Sequence, residues 1–377
     1  MGRKKNRRDF FRVIPAADKR ASVKREAGSG GPGDRSQSED DALMMHVSRH
    51  AMATRFEICF PGGMGGAVGG HEHDTQLALE TLELLDGLEE QISFFRPSGE
   101  IGRINLLAAE SSVQVEPELF KLLCLVKDIW RDTEGAFDIT STSLWRAWGF
   151  ARRAGSAPSE DQIAEALARV GFQFVELDAQ RQTVRITKSG VQLNLGGVGK
   201  GYALDRCAER LIHGGMEHFL LHAGQSSIFA RGASEKGDAT LLKKRAASPF
   251  SSFWTIGIPH SWKADGRIAE IRLRNRSIGT SSSRFQSFRH EGKLYGHIID
   301  PRTGRPAEGV ISATVVAPSS ALADALSTAF YVLGLEKSLA YCRAHPEIGV
   351  MLLTPSDRGG GLEIHCSGLD DRDFVIK

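Results

Sequence analysis

The chain has 377 residues, of which 41% are hydrophobic and 25% charged, proportions typical of a water-soluble globular protein. These values exclude a collagenous, fibrous or wholly disordered chain. There are 48 Lys and Arg against 46 Asp and Glu, so the formal charge is +2. This balance argues against a surface built to bind nucleic acid, and we predict no nucleic-acid partner.

Most of the positive charge lies near the N-terminus. Residues 1–40 contain 11 Lys and Arg and 6 Asp and Glu, and residues 28–41 consist mainly of glycine and polar side chains. Such a segment buries too little apolar surface to fold alone. We therefore predict a disordered basic tail and linker over residues 1–42, followed by one folded domain over residues 43–377.

The first residues are also relevant to localisation. Arg7 and Arg8, before Phe10 and Phe11, resemble the twin-arginine pair of an export signal, but charged residues follow where such a signal has an apolar segment. No run of about 18 apolar residues predicts a transmembrane helix. We predict a cytoplasmic protein without a transmembrane segment, with export through the twin-arginine-like N-terminus as the alternative.

The five cysteines give little indication of a function. They are scattered along the chain, odd in number and without a C-x-x-C pair. This spacing argues against a disulfide framework or a cysteine-rich zinc site. We predict reduced cysteines.

Strand and helix patterns alternate from about Leu43 without a strict βαβ rhythm. Alternating apolar residues predict a strand over 52–60, and Ser159 followed by Gln162 has the spacing of a helix capping box. Apolar spacings of three and four predict helices over about 74–92, 118–132, 200–213, 321–332 and 335–344. Further strands are predicted within 175–195, 218–223, 253–259, 270–274, 311–317 and 349–354. The pattern predicts an α+β fold of layered sheets and packed helices.

A glycine-rich segment, N-L-G-G-V-G-K-G-Y-A-L-D over 194–205, lies at a strand end and opens a predicted helix. Glycines let backbone amides approach an anion, a helix N-terminus adds partial positive charge, and Lys200 adds a full charge. The segment therefore suits a pyrophosphate. It is not a Walker A loop, because Gly201 stands where Ser or Thr would bind magnesium. A glycine turn with a surface lysine explains the same residues without a ligand.

A second segment, Y-G-H-I-I-D-P-R-T-G-R-P over 295–306, runs from a strand into a turn. Asp300 before proline and Thr303 before glycine are explained by turn chemistry. His297 is not explained in that way, and a neutral imidazole is able to accept a hydroxyl proton near pH 7. A structural histidine is the alternative.

A third segment, A-L-A-D-A-L-S-T-A-F over 321–330, lies on a predicted helix. Asp324 and Thr328 are four residues apart and share one helix face, with Ser327 beside them. Their oxygens form half of a shell suited to Mg²⁺. A helix acid beside a back-bonded threonine is the alternative.

A fourth segment, E-G-A-F-D-I-T-S-T-S-L-W-R-A-W-G-F over 134–150, is rich in hydroxyls and aromatic rings. Asp138 and Thr140 suit a polar ligand edge, and Trp145 and Trp148 suit a flat ring above it. Core tryptophans with Asp138 as a cap explain the same residues.

Taken together, these segments resemble the ApbE family of FAD:protein FMN transferases. The likeness covers about residues 52–335 and depends on the order of six motifs: M-A-T-R-F, S-G-E-I-G-R-I-N, G-A-F-D-I-T, L-G-G-V-G-K-G-Y-A-L-D, H-I-I-D-P-R-T-G and A-D-A-L-S-T-A. The resemblance implies a flavin-transferase fold that uses Mg²⁺ and takes FAD as donor. It implies transfer of FMN to a Ser or Thr hydroxyl of a target flavoprotein, with release of AMP.

The resemblance also implies roles for particular residues. His297 matches a candidate base, with Asp300 beside it. FAD or its flavin is implied to contact Met52, Ala136, Phe137, Asp138, Asn194 and Lys200. The magnesium ion is implied to bind the Gly197 carbonyl, Asp324, Ser327 and Thr328.

The sequence departs from the family pattern at three positions. Asn194 stands where the family often has Asp, Gln225 lies in A-G-Q-S-S where G-G-D is common, and Ser282 lies in T-S-S-S-R-F where S-G-D-Y is common. The acceptor protein is therefore not predicted. Two alternatives to the transferase remain: an FAD pyrophosphatase giving FMN and AMP, and a non-catalytic FAD-binding protein.

Overall fold

The computed structural model describes residues 12–13, 43–62, 70–150, 157–232, 253–260, 266–282, 287–290, 293–356, 361–370 and 373–376. The predicted tail over 1–42 lies outside these residues except for Arg12 and Val13, which pair with Ser48 and Val47. Its disorder stays a prediction.

The described chain contains eight α-helices, six of which were predicted from the sequence. Their bounds are α1 Gly70–Ile92, α2 Glu100–Leu107, α3 Pro117–Asp132, α4 Thr142–Ala147, α5 Glu160–Leu167, α6 Gly199–His213, α7 Ser320–Leu333 and α8 Leu335–Ala344. The capping box at Ser159 and Gln162 is confirmed. Helix α1 begins four residues before its predicted start at Asp74, and α2 and α4 were not predicted.

The strands form one large sheet and four small ones. Their bounds are β1 Arg12–Val13, β2 Leu43–Ala51, β3 Thr54–Gly62, β4 Val113–Gln114, β5 Val175–Asp178, β6 Thr183–Ile186, β7 Phe219–Ala223, β8 Ser227–Arg231, β9 Trp254–Pro259, β10 Arg267–Leu273, β11 Arg276–Ser282, β12 Ser287–His290, β13 Lys293–Gly296, β14 Ile299–Asp300, β15 Arg305–Pro306, β16 Ser312–Ala317, β17 Gly349–Pro355, β18 Leu362–Ser367 and β19 Phe374–Ile376.

The large sheet has the order β1-β2-β3-β7-β8-β11-β16-β17-β18, and its described pairs are antiparallel. The small sheets have the orders β19-β10-β9, β4-β6-β5, β12-β13 and β14-β15. Helices and antiparallel sheets together confirm the predicted α+β class.

The large sheet separates two apolar layers. On one face, Phe56, Ile58 and Phe60 of β3 pack with Leu82 of α1 and Leu204 of α6. This confirms the predicted side-chain alternation, since the three residues share one face. The same face carries α7, whose Ala323 and Ala325 pack in a second cluster.

The opposite face of the sheet packs on the small sheet formed by β9, β10 and β19. Leu220 and Ile228 lie in one cluster with Trp254, Ile256 and Ile271. The indole of Trp254 is fully buried there. The structure is therefore layered as helices, large sheet and small sheet, as the sequence predicts in outline.

Helix α7 lies unusually close to its neighbours because two glycines face its backbone. A Cβ atom on Gly279 of β11 would overlap the carbonyl oxygen of Ala323, and one on Gly201 of α6 would overlap that of Ser320. Glycine is required at both positions for this approach. The first turn of α7 therefore lies between β11 and the start of α6.

The N-terminus of α7 is capped from α6. The carboxylate of Asp205 accepts from the backbone N–H of Ser320 at 2.7 Å and from that of Ala321 at 2.8 Å. Ser319 accepts from the N–H of Leu322 at 3.3 Å. These contacts satisfy backbone donors that a helix start otherwise leaves open, and they fix the position of α7.

No helix among the residues described combines the length and the apolar character that crossing a bilayer requires.

Candidate functional site

Asp324 is the centre of the site. Its side chain is almost fully buried on α7, and its Oδ1 accepts from the hydroxyl of Ser227 at 2.8 Å. Its Oδ2 accepts from the N–H of Gly201 at 3.0 Å and lies 3.6 Å from Nζ of Lys200. The carboxylate therefore connects α7 with β8 and with the first turn of α6.

Three further hydroxyls form a group around the turn of α7 that follows Asp324. Ser327 donates to the main-chain oxygen of Asp324 at 2.8 Å. Ser281 Oγ of β11 lies 2.9 Å from Ser327 Oγ and 3.1 Å from Thr328 Oγ1. The structure thus brings the predicted hydroxyls of Ser327 and Thr328 together on the helix that carries Asp324, and adds the hydroxyl of Ser281, which was not predicted.

The glycine-rich loop closes one side of the site. A Cβ on Gly197 would lie 3.1 Å from the ring of Phe137 and 3.8 Å from Thr328 Oγ1. Gly197 therefore lies between a predicted flavin-contacting ring and a predicted metal ligand. Lys200 follows in the first turn of α6, where helix N–H groups and its own charge favour an anion.

Asn194 connects this loop to the segment that carries Phe137. Its Oδ1 accepts from the N–H of Gly196 at 3.0 Å, and its own N–H donates to the carbonyl of Ile139 at 2.8 Å. Ala136 and Phe137 are both buried. The amide that replaces the family's aspartate therefore shapes the loop in this chain.

Met52 lies in the turn between β2 and β3. It has φ 48°, its N–H donates to Glu89 Oε2 at 2.9 Å, and its side chain packs against both core clusters of the helical face. It therefore lies where the two clusters meet. Its flavin contact stays a prediction.

Asp138 already has donors within the chain. Its Oδ1 accepts from Thr140 N–H at 2.8 Å and Thr140 Oγ1 at 2.6 Å, and its Oδ2 accepts from Phe172 N–H at 3.0 Å. Burial raises the pKa of this carboxyl above its ordinary value. These contacts match the alternative in which Asp138 is a cap, and its contact with the flavin stays a prediction.

Asp300 is held in its turn by Arg302. The guanidinium donates to both carboxylate oxygens at 2.8 Å, and Arg302 N–H donates to Oδ1 at 2.9 Å. This ion pair raises the pKa of Arg302. His297 lies between β13 and β14, half-buried, three residues before Asp300. The structure therefore accounts for Asp300 by turn chemistry, and the base role of His297 stays a prediction.

Trp148 connects the aromatic segment over 134–150 with the turn segment over 295–306. Its Nε1 donates to the carbonyl of Gly304 at 2.7 Å, and its ring lies 5.2 Å from that of Tyr295. The side chain is buried, while Trp145 is half-buried. Trp148 is thus a core residue that positions the turn carrying Asp300.

A sequence model of the ApbE family matches residues 52–352. The chain belongs to the ApbE family. The FAD:protein FMN transferase of Treponema pallidum (strain Nichols) is 32% identical over 309 residues, which are 79% of this chain and 83% of that protein. The FAD:protein FMN transferase of Haemophilus influenzae is 26% identical over 85% of this chain and 89% of that protein.

Solved ApbE structures share the fold. Flavin transferase ApbE from Vibrio cholerae superposes with a TM-score of 0.71 at 26% identity, covering 86% of this chain and 97% of that one. The ApbE protein of Thermotoga maritima gives 0.70 at 27% identity, covering 85% and 96%. The predicted family and its α+β fold are confirmed.

Two hydroxyls of this ApbE chain were missed by sequence reasoning. The departures from the family pattern drew attention to Gln225 and Ser282, but Gln225 is exposed and Ser282 donates to the carbonyl of Ile311 at 3.1 Å. Their neighbours Ser227 and Ser281 face the site instead. The sequence offered no signal for Ser227, because β8 was not a predicted strand and the burial of this serine is seen only in the structure.

A groove elsewhere on the molecule is not part of this site. It has a volume of about 1100 Å³ and is lined by residues of α1 and α6, including Leu88, Gln91 and Arg210. None of the residues predicted for FAD or Mg²⁺ lines it. The candidate site is therefore defined by the contacts around Asp324 and not by this groove.

Proposed function

We propose that this chain is an FAD:protein FMN transferase, which takes FAD as donor and a hydroxyl of a target flavoprotein as acceptor. Family membership supports the reaction class. Two relatives that this chain matches over most of their length are named FAD:protein FMN transferase. The observation that carries the proposal is the arrangement of Asp324, Lys200 and the α6 N-terminus within a few ångströms. An anionic diphosphate and a divalent cation need opposite charges side by side, as found here.

Magnesium fits the donor set of this site. Asp324 offers a carboxylate, Ser327 and Thr328 offer hydroxyls, and Gly197 offers a carbonyl beside Thr328. Hard oxygen ligands of this kind are those that Mg²⁺ prefers. Bound there, the ion would neutralise diphosphate oxygens and stabilise charge on the leaving group.

Lys200 and the first turn of α6 are proposed to bind the diphosphate. The ammonium group lies 3.6 Å from Asp324 Oδ2, so it is held near the carboxylate without a close ion pair. It is half-buried, which strengthens its interaction with an incoming anion compared with bulk water. The flavin end is proposed to lie along Met52, Ala136, Phe137, Asp138 and Asn194.

His297 is proposed to accept the proton of the acceptor hydroxyl. The Ser or Thr oxygen then bonds to the FMN-side phosphorus, the P–O–P bridge breaks, and AMP leaves with the bridging oxygen. Asp300 is bound to Arg302, so we assign it to holding the turn that carries His297. The acceptor is a flavoprotein with a Ser or Thr flavinylation motif.

The decisive experiment combines the full chain with FAD, Mg²⁺ and a candidate acceptor flavoprotein. Transfer gives a fluorescent acceptor band in a denaturing gel together with one AMP for each attached FMN. Free FMN and AMP without a labelled acceptor would favour the pyrophosphatase. FAD binding with no AMP would favour a non-catalytic flavin-binding protein.

We propose the cytoplasm as the compartment, because charged residues follow Arg7 and Arg8 where an export signal needs apolar ones. Fractionation of cells that produce the full chain tests this. Recovery from the far side of the membrane would support the twin-arginine alternative.

A further inference from the structure

A second polar cluster lies on the face of the large sheet opposite Asp324. It contains His46 of β2, Glu57 and Cys59 of β3, and His222 of β7. Ser227 of β8 faces Asp324, whereas its neighbour Ile228, which pairs with His222, packs against the small sheet. The cluster and the Asp324 site are therefore on opposite sides of the same sheet.

The strand register explains why these side chains meet. His46 pairs with Cys59 across β2 and β3, and Glu57 pairs with His222 across β3 and β7. Glu57 and Cys59 are two residues apart on one strand and share a face. Paired residues on one face lie within side-chain reach, so the register alone brings the four groups together.

The ligand atoms have the spacing of a compact metal shell. Nδ1 of His46 lies 2.7 Å from Glu57 Oε1 and 3.3 Å from Cys59 Sγ, and Sγ lies 3.7 Å from Oε1. Zinc bonds of about 2.0 to 2.3 Å at tetrahedral angles place ligand atoms about 3.3 to 3.7 Å apart. Small shifts of these side chains would therefore accommodate one ion.

His222 provides an independent indication of a ligand. The residue is 6% exposed, and its Nδ1 lies 3.1 Å from the carbonyl of Gly224, which only accepts, so Nδ1 carries the proton. With the proton on Nδ1, the neutral ring carries its lone pair on Nε2. That buried Nε2 has no hydrogen-bond partner among the described residues.

The lone pair of His222 faces a negative group. Its Nε2 lies 3.8 Å from Glu57 Oε2. Arg55 lies 2.7 Å from the same Oε2. Oε1 remains directed toward His46 and Cys59. Arg55 therefore balances the charge at Oε2, while the lone pair of His222 Nε2 is left without a donor among the described residues.

We propose that His46, Glu57 and Cys59 bind a divalent transition metal of the zinc class, with a solvent molecule completing the shell beside His222. Imidazole and thiolate ligands favour Zn²⁺ over Mg²⁺, so this site and the oxygen-rich site at Asp324 would select different ions. On binding, the Cys59 thiol loses its proton to solvent and a metal–sulfur bond forms. His46 is partly exposed, which provides an entry route for the ion.

Cobalt tests the proposal because Co²⁺ substitutes for Zn²⁺ and reports a sulfur ligand by absorption. The full chain in excess Mg²⁺ is titrated with Co²⁺ and then with Zn²⁺. We expect a near-ultraviolet thiolate-to-cobalt band and visible bands of four-coordinate cobalt, saturating at one equivalent and removed by Zn²⁺. Absence of the thiolate band at stoichiometric cobalt would overturn the proposal.

Matched variants assign the band to this cluster. Cys59→Ser is expected to abolish the charge-transfer band, while Cys366→Ser, at an exposed cysteine, keeps it. His46→Ala, which leaves Arg55 paired with Glu57, is expected to weaken cobalt binding at least about tenfold without removing a core side chain. A band that persists in Cys59→Ser, or unchanged affinity in folded His46→Ala, would contradict the assignment.

Discussion

The buried aspartates at 324 and 138 show two ways of satisfying a carboxylate. Asp324 accepts from Ser227 of β8 and Gly201 of α6, with Lys200 near, so its donors come from elements far apart in the sequence. Asp138 accepts from Thr140, two residues away, and from the backbone of Phe172. Asp324 lies where α7, β8 and α6 meet beside the glycine loop, whereas Asp138 joins its own turn to the segment that carries Phe172.

This difference separates a candidate reaction site from its supporting structure. Lys200 stands 3.6 Å from Asp324 beside the helix N-terminus, whereas Thr140 and Phe172 donate to Asp138 and join two segments of the supporting structure. We therefore expect substitutions at Asp324 and Lys200 to act mainly on transfer, and those at Asp138 and Asp205 to act mainly on stability.

The largest effect is expected for Asp324→Asn. The amide keeps the size of the side chain but removes the charge that would bind Mg²⁺, so FMN transfer should fall at least about a thousandfold. In-gel flavin fluorescence measures the loss. Asp178→Asn, at the exposed last residue of β5, is the matched control and should retain full transfer. Equal losses in both variants would remove the distinction.

Lys200→Ala should follow, with transfer lowered about 100-fold, the usual cost of removing one stabilising donor from a developing charge. The ammonium group is half-buried beside the α6 N-terminus, so its loss should also raise the KM for FAD. Steady-state AMP release at varied FAD measures both effects. An unchanged rate at low FAD would exclude the proposed diphosphate contact.

Asp138→Asn should lower the free energy of unfolding by about 1 to 3 kcal/mol, because an amide nitrogen replaces one acceptor oxygen and faces a backbone or hydroxyl donor. Urea unfolding measures the change. Because Asp138 is assigned to the supporting structure, transfer by the folded variant should stay within about tenfold of the wild type. A larger fall in transfer at unchanged stability would instead assign Asp138 to flavin binding.

The smallest effect concerns pH and the cap of α7. Burial raises the pKa of Asp205 to about 6. Since this exceeds the unfolded value, the folded state binds more protons between about pH 4 and 6, and this carboxyl makes stability fall as pH rises through that range. Asp205→Asn should remove that contribution. Unfolding free energies measured across the range compare the two slopes, and identical slopes would contradict the shift.

The local parts of the fold and site were predictable from the sequence. Asp324, Ser327 and Thr328 are grouped by helix spacing alone, and the glycine loop precedes α6 as expected. Helix α7 is mostly buried, so its apolar pattern marked it clearly. The family resemblance predicted the remaining site residues, because six family motifs occur in this chain in the family's order.

The parts that depend on long-range pairing were not predictable. Ser281 reaches Thr328 only because β11 pairs with β16 and faces α7, and Ser227 reaches Asp324 across 97 positions. In the sequence, a glycine that forms a turn looks the same as one that allows close backbone contact, so the role of Gly279 was not visible. Asp205 resembles any helix acid until its two bonds to the start of α7 are seen. None of these contacts follows from local spacing.

The most direct test of the central claim is the effect of Mg²⁺ on FAD binding, measured by calorimetry with and without the metal. We predict that Mg²⁺ tightens FAD binding by the wild-type chain and leaves binding by Asp324→Asn unchanged, because the metal would contact both the diphosphate and Asp324. Equal strengthening in both proteins would contradict the placement of the metal and diphosphate at Asp324.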